Sequence, residues 1–221
     1  MKFNLINSLV FVVLLPFLAT APSKGVTSNH TLTSLKPPTT FSEKEIPGFS
    51  LRNVDGSFVS TIDFPNAKGF AVVFTCNHCP FAKLYTQRFN DLHKKYAPLG
   101  VPLLAINSMD SLVYEDESFA LMQARAREAG FQFPYLHDAE QIVGQLFDAE
   151  HTPHAFVIWK VKGKWIVKYA GAIDDNGEEP ENATPFIGNA IDDLLAGKKV
   201  SMPETESFGC RIFYRKSVNK K

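Results

Sequence analysis

The chain has 221 residues, and its 23 Lys and Arg balance its 23 Asp and Glu. Zero net charge supplies no global field for nucleic acid or an anionic membrane, and three cysteines are too few for a disulfide-framework miniprotein. A 45% hydrophobic content excludes wholesale disorder, and the length suits one domain with appendages.

Residues 1–21 read as a secretory signal peptide. Lys2 gives a positive start, Leu9–Ala19 is apolar apart from Pro16, and Ala19-Thr20-Ala21 is a small-x-small cleavage pattern. The apolar stretch is too short for a confident membrane span. The expectation is export to a periplasm or the extracellular space, with an uncleaved membrane tether as the alternative. Residues 22–44 are rich in Ser, Thr, Pro and Lys and read as a flexible linker, because they bury too little apolar area to offset chain entropy. Asn29-His30-Thr31 and Asn182-Ala183-Thr184 fit the glycosylation sequon.

The body spans 45–199. Phe49–Phe64 predicts two short strands around the turn dipeptide Asp55-Gly56. Phe70–Thr75 is a continuous apolar run, as in a strand buried on both faces. Phe81, Tyr85, Phe89, Leu92 and Tyr96 then share one apolar face of a single helix, closed by Pro98 and Gly100. Val101–Ile106 predicts a second buried strand. Ser118–Ala129 predicts a helix with Phe119, Met122 and Ala126 inward, and Phe133–Leu136 a short strand. Asp138 and Gln141 read as a capping box for a helix whose inner face is Ile142, Val143, Leu146 and Phe147. Ala155–Val161 and Trp165–Ala170 read as strands around Lys162-Gly163-Lys164. A final helix opens at Thr184-Pro185 with Ile187, Ala190, Ile191, Leu194 and Leu195 inward. Residues 200–221 form a basic C-terminal tail, read as solvated. This order predicts an α/β fold: a central mixed sheet flanked by helices on both faces, with an N-terminal β-hairpin extension and strand 70–75 near the centre. The ligand side of such a sheet is the strands' C-terminal end, which carries residues 75–79.

The chemistry concentrates at Cys76-Asn77-His78-Cys79. Two cysteines at this spacing, after a buried strand and at a helix start, form a disulfide with little rearrangement. Thiolates in such motifs have pKa values lowered from ~8.5 to ~3.5–7. Cys76 reads as the exposed nucleophile and Cys79 as its more buried partner. A positively charged His78 would lower the Cys76 pKa, stabilise the reduced state and raise the redox potential. The pair would be a redox-active disulfide with no further cofactor. The bland alternative is a structural disulfide or a buried thiol pair.

Thr152-Pro153 precedes the strand at 155. With the Cys-x-x-Cys motif and this order of elements, the chain resembles the thioredoxin-fold superfamily. That resemblance implies a cis Pro153 facing the motif, with the Thr152 backbone pairing with an extended substrate segment. The stretches Phe74–Pro80, Ile106–Ser108, Phe131–Leu136, Thr152–His154, Gly171–Asn176 and Gly209-Cys210 are similar, more narrowly, to the peroxiredoxin-like redoxins across residues 41–216. The resemblance implies a three-layer redoxin fold and thiol chemistry. It breaks at Val73, where a peroxiredoxin has Thr three residues before its attacking Cys. It breaks again at Thr75, where membrane-tethered thioredoxin-like reductases have Trp.

Cys210 is a third-thiol candidate that would dock near Cys76 and resolve a mixed disulfide; the bland reading is a small buried residue. A metal reading sets Cys76 and Cys79 with His154, a donor set suited to copper(I) or zinc. Asp174 and Asp175 read as a turn before any carboxylate dyad. The leading expectation is an exported thiol–disulfide oxidoreductase acting on protein thiols or disulfides, with an unidentified redox partner. Peroxide reduction by Cys76 comes second. A metal-binding chaperone is the rival from another class.

Overall fold

The computed structural model of the chain describes residues 41–216. The expected signal peptide, the expected linker up to residue 40, the Asn29 sequon and residues 217–221 lie outside the described residues. Among the described residues, no helix is long and apolar enough to cross a membrane.

The chain enters as β1 (Glu45–Ile46), followed by β2 (Ser50–Asn53) and β3 (Phe58–Ser60). The expected hairpin is present, and Asp55 ties its turn by accepting from Ser57 N at 2.8 Å. Next come β4 (Gly69–Phe74), α1 (Pro80–Leu84), α2 (Thr86–Tyr96), β5 (Leu103–Asn107), α3 (Phe119–Glu128) and β6 (Tyr135–His137). The chain closes with α4 (Ile142–Phe147), β7 (His151–Thr152), β8 (His154–Val161), β9 (Lys164–Gly171), α5 (Phe186–Leu195) and β10 (Cys210–Arg211). Eight strands make one mixed sheet in the order β1-β9-β8-β4-β5-β6-β2-β3. β4–β5 and β5–β6 are parallel; the remaining pairs are antiparallel.

β4 is central, and its alternation builds two cores. Phe70, Val72 and Phe74 face α4 residues Val143 and Phe147. Ala71 and Val73 face Phe89, Met122 and Ile191 of α2, α3 and α5. This period of two is the strand's own geometry.

Four expectations need correction. The helix expected across 81–96 is two helices, broken at Tyr85 with φ −92° and ψ 0°. The break turns the buried Tyr85 hydroxyl onto Asp174 Oδ1 at 2.9 Å, while Phe81 is left 47% exposed. Asp138 does cap α4, accepting from Val143 N and Gly144 N, but Gln141 completes no capping box. Its amide instead donates to Ser108 O and Phe213 O. Ile142, expected inward, is 67% exposed, because the helix begins only there and turns Val143 and Phe147 to the core.

The fourth correction concerns the tail. Residues 200–216 are a packed strap. Thr205 N donates to Ala170 O at 3.1 Å, β10 pairs antiparallel with β7, and Ile212 is buried. Tyr214 Oη donates to Ala149 O at 2.6 Å, and Arg215 N donates to Gln141 Oε1 at 2.9 Å. Apolar burial of Ile212 and Tyr214 and these backbone bonds outweigh the solvation of a few basic side chains.

Candidate active site

The loop from Thr75 to Cys79 leaves the C-terminal end of β4, as the sheet rule predicts. Thr75 N donates to Ile106 O at 2.9 Å, which carries the β4–β5 pairing to the lip of the sheet. Cys79 is the N-cap of α1, and Pro80 occupies its first position. There Pro removes a backbone donor that would have no partner anyway.

Both thiols are free and buried, at 4% exposure for Cys76 and 0% for Cys79. This corrects the expected exposure of Cys76. Thr152 accounts for much of the covering: its hydroxyl lies 3.1 Å from Cys76 Sγ, and its carbonyl accepts from Cys79 Sγ at 3.1 Å. The Thr152–Pro153 bond is cis, as the resemblance implied. Thr152 and Pro153 therefore stand directly against the motif.

The sequence reading missed Glu117. Its side chain is fully buried behind the motif, in a 3-10 turn after β5. It accepts from Asn77 N and His78 N, both at 2.9 Å, from Asn107 Nδ2 at 2.6 Å, and from His78 Nδ1 at 2.5 Å. Donors on every side offset the cost of burying a carboxylate. Asn77 is fixed further by Tyr135 Oη, which donates to Asn77 Oδ1 at 2.9 Å. The triple Glu115-Asp116-Glu117 after a buried strand was a visible signal. Which of the three carboxylates turns inward was not readable.

His78 stacks on Tyr114 at 5.2 Å between ring centroids and points Nδ1 at Glu117. Any positive charge on His78 therefore faces a carboxylate. The direction at Cys76 is opposite to the one expected. The hydrogen bond with Cys79, burial and the Glu117 charge all push the Cys76 thiol up. Cys79 is lowered to about 4, chiefly by the hydrogen bond from Cys76, with help from Cys210 and the Ala82 N–H. The two directions are opposite, as for a pair that releases one proton readily and holds the second.

Cys210 sits on β10, in register with Thr152, and packs against the cluster that holds Cys76 and Cys79, with Cys79 acting on its thiol. The expected neighbour was Cys76. Burial raises the Cys210 thiol to about 12.

The metal reading changes as well. His154 Nδ1 accepts from Glu150 N at 3.1 Å, and its ring lies against Phe156. Among the described residues, the candidate metal cluster is Cys76, His78 and Glu117, without His154. Glu117 already spends both oxygens on protein donors, so this set fits a metal poorly. Asp174 is no dyad partner of Asp175: it pairs with Arg88 at 2.8 Å, while Asp175 accepts from Thr184 N.

Residues 43–174 match the AhpC/TSA family. The chain belongs to the AhpC/TSA family. A solved hypothetical protein from Sinorhizobium meliloti 1021 superposes with TM-score 0.72 at 27% identity, covering 80% of this chain and 96% of that one. An uncharacterized conserved protein from Geobacillus kaustophilus gives TM-score 0.70 at 36% identity, covering 79% and 93%. The peroxidoxin BcpB from Mycobacterium tuberculosis, at 16% identity and TM-score 0.51, shares the fold over 69% of this chain and 92% of that one. No curated protein matches the chain. This AhpC/TSA-family chain has the thioredoxin-like fold that its sequence resembles, a mixed sheet flanked by helices.

Proposed function

We propose that the chain is an exported thiol–disulfide oxidoreductase acting on protein thiols or disulfides. One observation carries the reading: two cysteines at the end of β4, both bonded to Thr152 beside a cis proline. Cys76, the first cysteine of the motif, retains slight exposure where Cys79 has none and is assigned the contact with substrate. As it attacks a substrate disulfide, its proton passes to the Cys79 thiolate. One substrate sulfur leaves as a thiolate and is protonated by solvent. Cys79 then loses its proton and attacks the mixed disulfide, which closes Cys76–Cys79 and releases the second thiol. The oxidising direction is the reverse. Glu117 holds the motif backbone and the His78 ring in place. Exposed Phe81, Leu112 and Val113, on the segments carrying Cys79 and Tyr114, suit a polypeptide substrate. Export rests on residues 1–21; the mature N-terminus should lie at or shortly after Pro22.

A thiolate held at about 4 stabilises the reduced pair against the disulfide, so the potential is raised. Equilibration with glutathione, read by thiol trapping, should give roughly −180 mV or above. A value near −270 mV would mean a reductant and would overturn the oxidant or isomerase direction. Peroxide reduction by Cys76 is the second reading, supported by the family match. Rapid stoichiometric oxidation of Cys76 by hydrogen peroxide would favour it.

A further inference from the structure

Thr152 is the point where all three cysteines meet. Its hydroxyl lies 3.1 Å from Cys76 Sγ, its carbonyl oxygen lies 3.1 Å from Cys79 Sγ, and its backbone pairs with Cys210. The edge beside Thr152 is where an extended substrate would add a strand. β10 of the chain's own strap already occupies it.

The approach is close, and two glycines permit it. Gly209 has φ +134°, and a Cβ there would collide with the Thr152 carbonyl. Gly171 has φ +147°, and a Cβ there would collide with the Thr205 backbone. Both conformations are ones that L side chains rarely adopt. Between these points the strap is anchored at Thr205 and again at Ile212, whose N–H donates to Glu150 O at 2.8 Å. The segment lies along the edge as a bound substrate would, with a cysteine at the register position of Thr152.

We propose that the strap is an internal substrate, in which Cys210 exchanges with the Cys76–Cys79 disulfide to give Cys79–Cys210. This deepens the oxidoreductase reading and rests on it. The Cys210 thiolate attacks Cys79 Sγ. The Cys79–Cys210 bond forms, the Cys76–Cys79 bond breaks, and Cys76 leaves as a thiolate that takes up the proton Cys210 gave up. One disulfide is consumed and one formed, so no outside oxidant or reductant is needed. Cys76 and Cys79 are buried, while Cys210 is half-buried. The exchange therefore carries the oxidised state toward the surface, where an external dithiol can reduce it, and frees Cys76. Burial raises the Cys210 thiol, and its thiolate is the attacking species, so the exchange should quicken as pH rises, by at most about tenfold per unit.

The test uses the whole exported chain in glutathione buffers of graded ratio. Acid quenching, alkylation, digestion and mass spectrometry then identify each disulfide. Wild type should show both Cys76–Cys79 and Cys79–Cys210, with Cys76 alkylated in the second. Cys76→Ser should form Cys79–Cys210 within a monomer. Gly209→Ala, checked as folded by circular dichroism, should lose Cys79–Cys210 several-fold and keep Cys76–Cys79. If Cys79 and Cys210 of Cys76→Ser both stay alkylatable where the wild-type pair oxidises, the internal exchange is overturned and the oxidoreductase reading survives. If wild type forms no Cys76–Cys79 at any ratio, both are overturned.

Discussion

Cys76 and Cys79 both lie against Thr152, and removing one proton from the pair strengthens its hold on the other. Cys79 is lowered to about 4, while Cys76 is pushed well above the ordinary thiol range by its Cys79 neighbour, by burial and by Glu117. Through neutral pH the reduced pair thus holds one proton where the disulfide holds none. Reduction takes up that proton, so the potential must fall as pH rises, by about 30 mV per unit. Two ordinary thiols would give about 60 mV per unit. Thiol trapping in glutathione buffers from pH 5.5 to 8, on a Cys210→Ser variant that isolates the pair, checks the slope. The motif spelled out the cysteines at this scale. The sign of the electrostatics at Cys76 depended on Glu117, which is distant in sequence and is brought in by the loop after β5.

The helices beside the site show what one buried ion pair does to an element. Arg88 on α2 donates to both oxygens of Asp174 and to Gly177 O, and Tyr85 donates to Asp174 as well. These contacts fix the break between α1 and α2, and so the angle at which α1 presents Cys79. Asp174→Asn leaves the largely buried Arg88 without its counter-charge. It should cost about 3–5 kcal/mol in urea unfolding, much more than an exposed pair such as Lys95–Asp192. A loss below 1 kcal/mol would mean that the break does not depend on the pair. The apolar period was readable along 81–96, but the break was not. It is imposed by a carboxylate that arrives after β9.

The strap belongs to the scale of the whole molecule. It runs from the end of β9, across β7, to α4, and ties the last described residues to the active-site face. Ile212 is its apolar anchor, 3% exposed in the core shared with Phe74 and Phe147. Ile212→Ala should remove about 2–5 kcal/mol from that anchor. Because the strap backs β7, whose Thr152 covers the cysteines, the variant should also expose them. Iodoacetamide should label Cys79, the most readily ionised of the three thiols, faster than in wild type, and hydrogen exchange should accelerate at the amides of residue 212 and Arg215. Unchanged labelling would show that the strap is held elsewhere, at Thr205 or Gln141.

By itself the sequence determined the order of strands and helices, the buried central strand and the dithiol at its C-terminal end, while the cis Thr152-Pro153 facing the dithiol came from the family resemblance. The first three are written in local periodicity, turn chemistry or adjacent residues, which a one-dimensional reading can weigh. Only the tertiary structure decided that Cys76 is covered, that Glu117 faces His78, that Tyr85 breaks a helix and that the basic tail is a strap bringing Cys210 to Cys79. Those features arise from contacts between residues far apart in the chain. Their energies depend on burial and on partners that exist only once the sheet has formed.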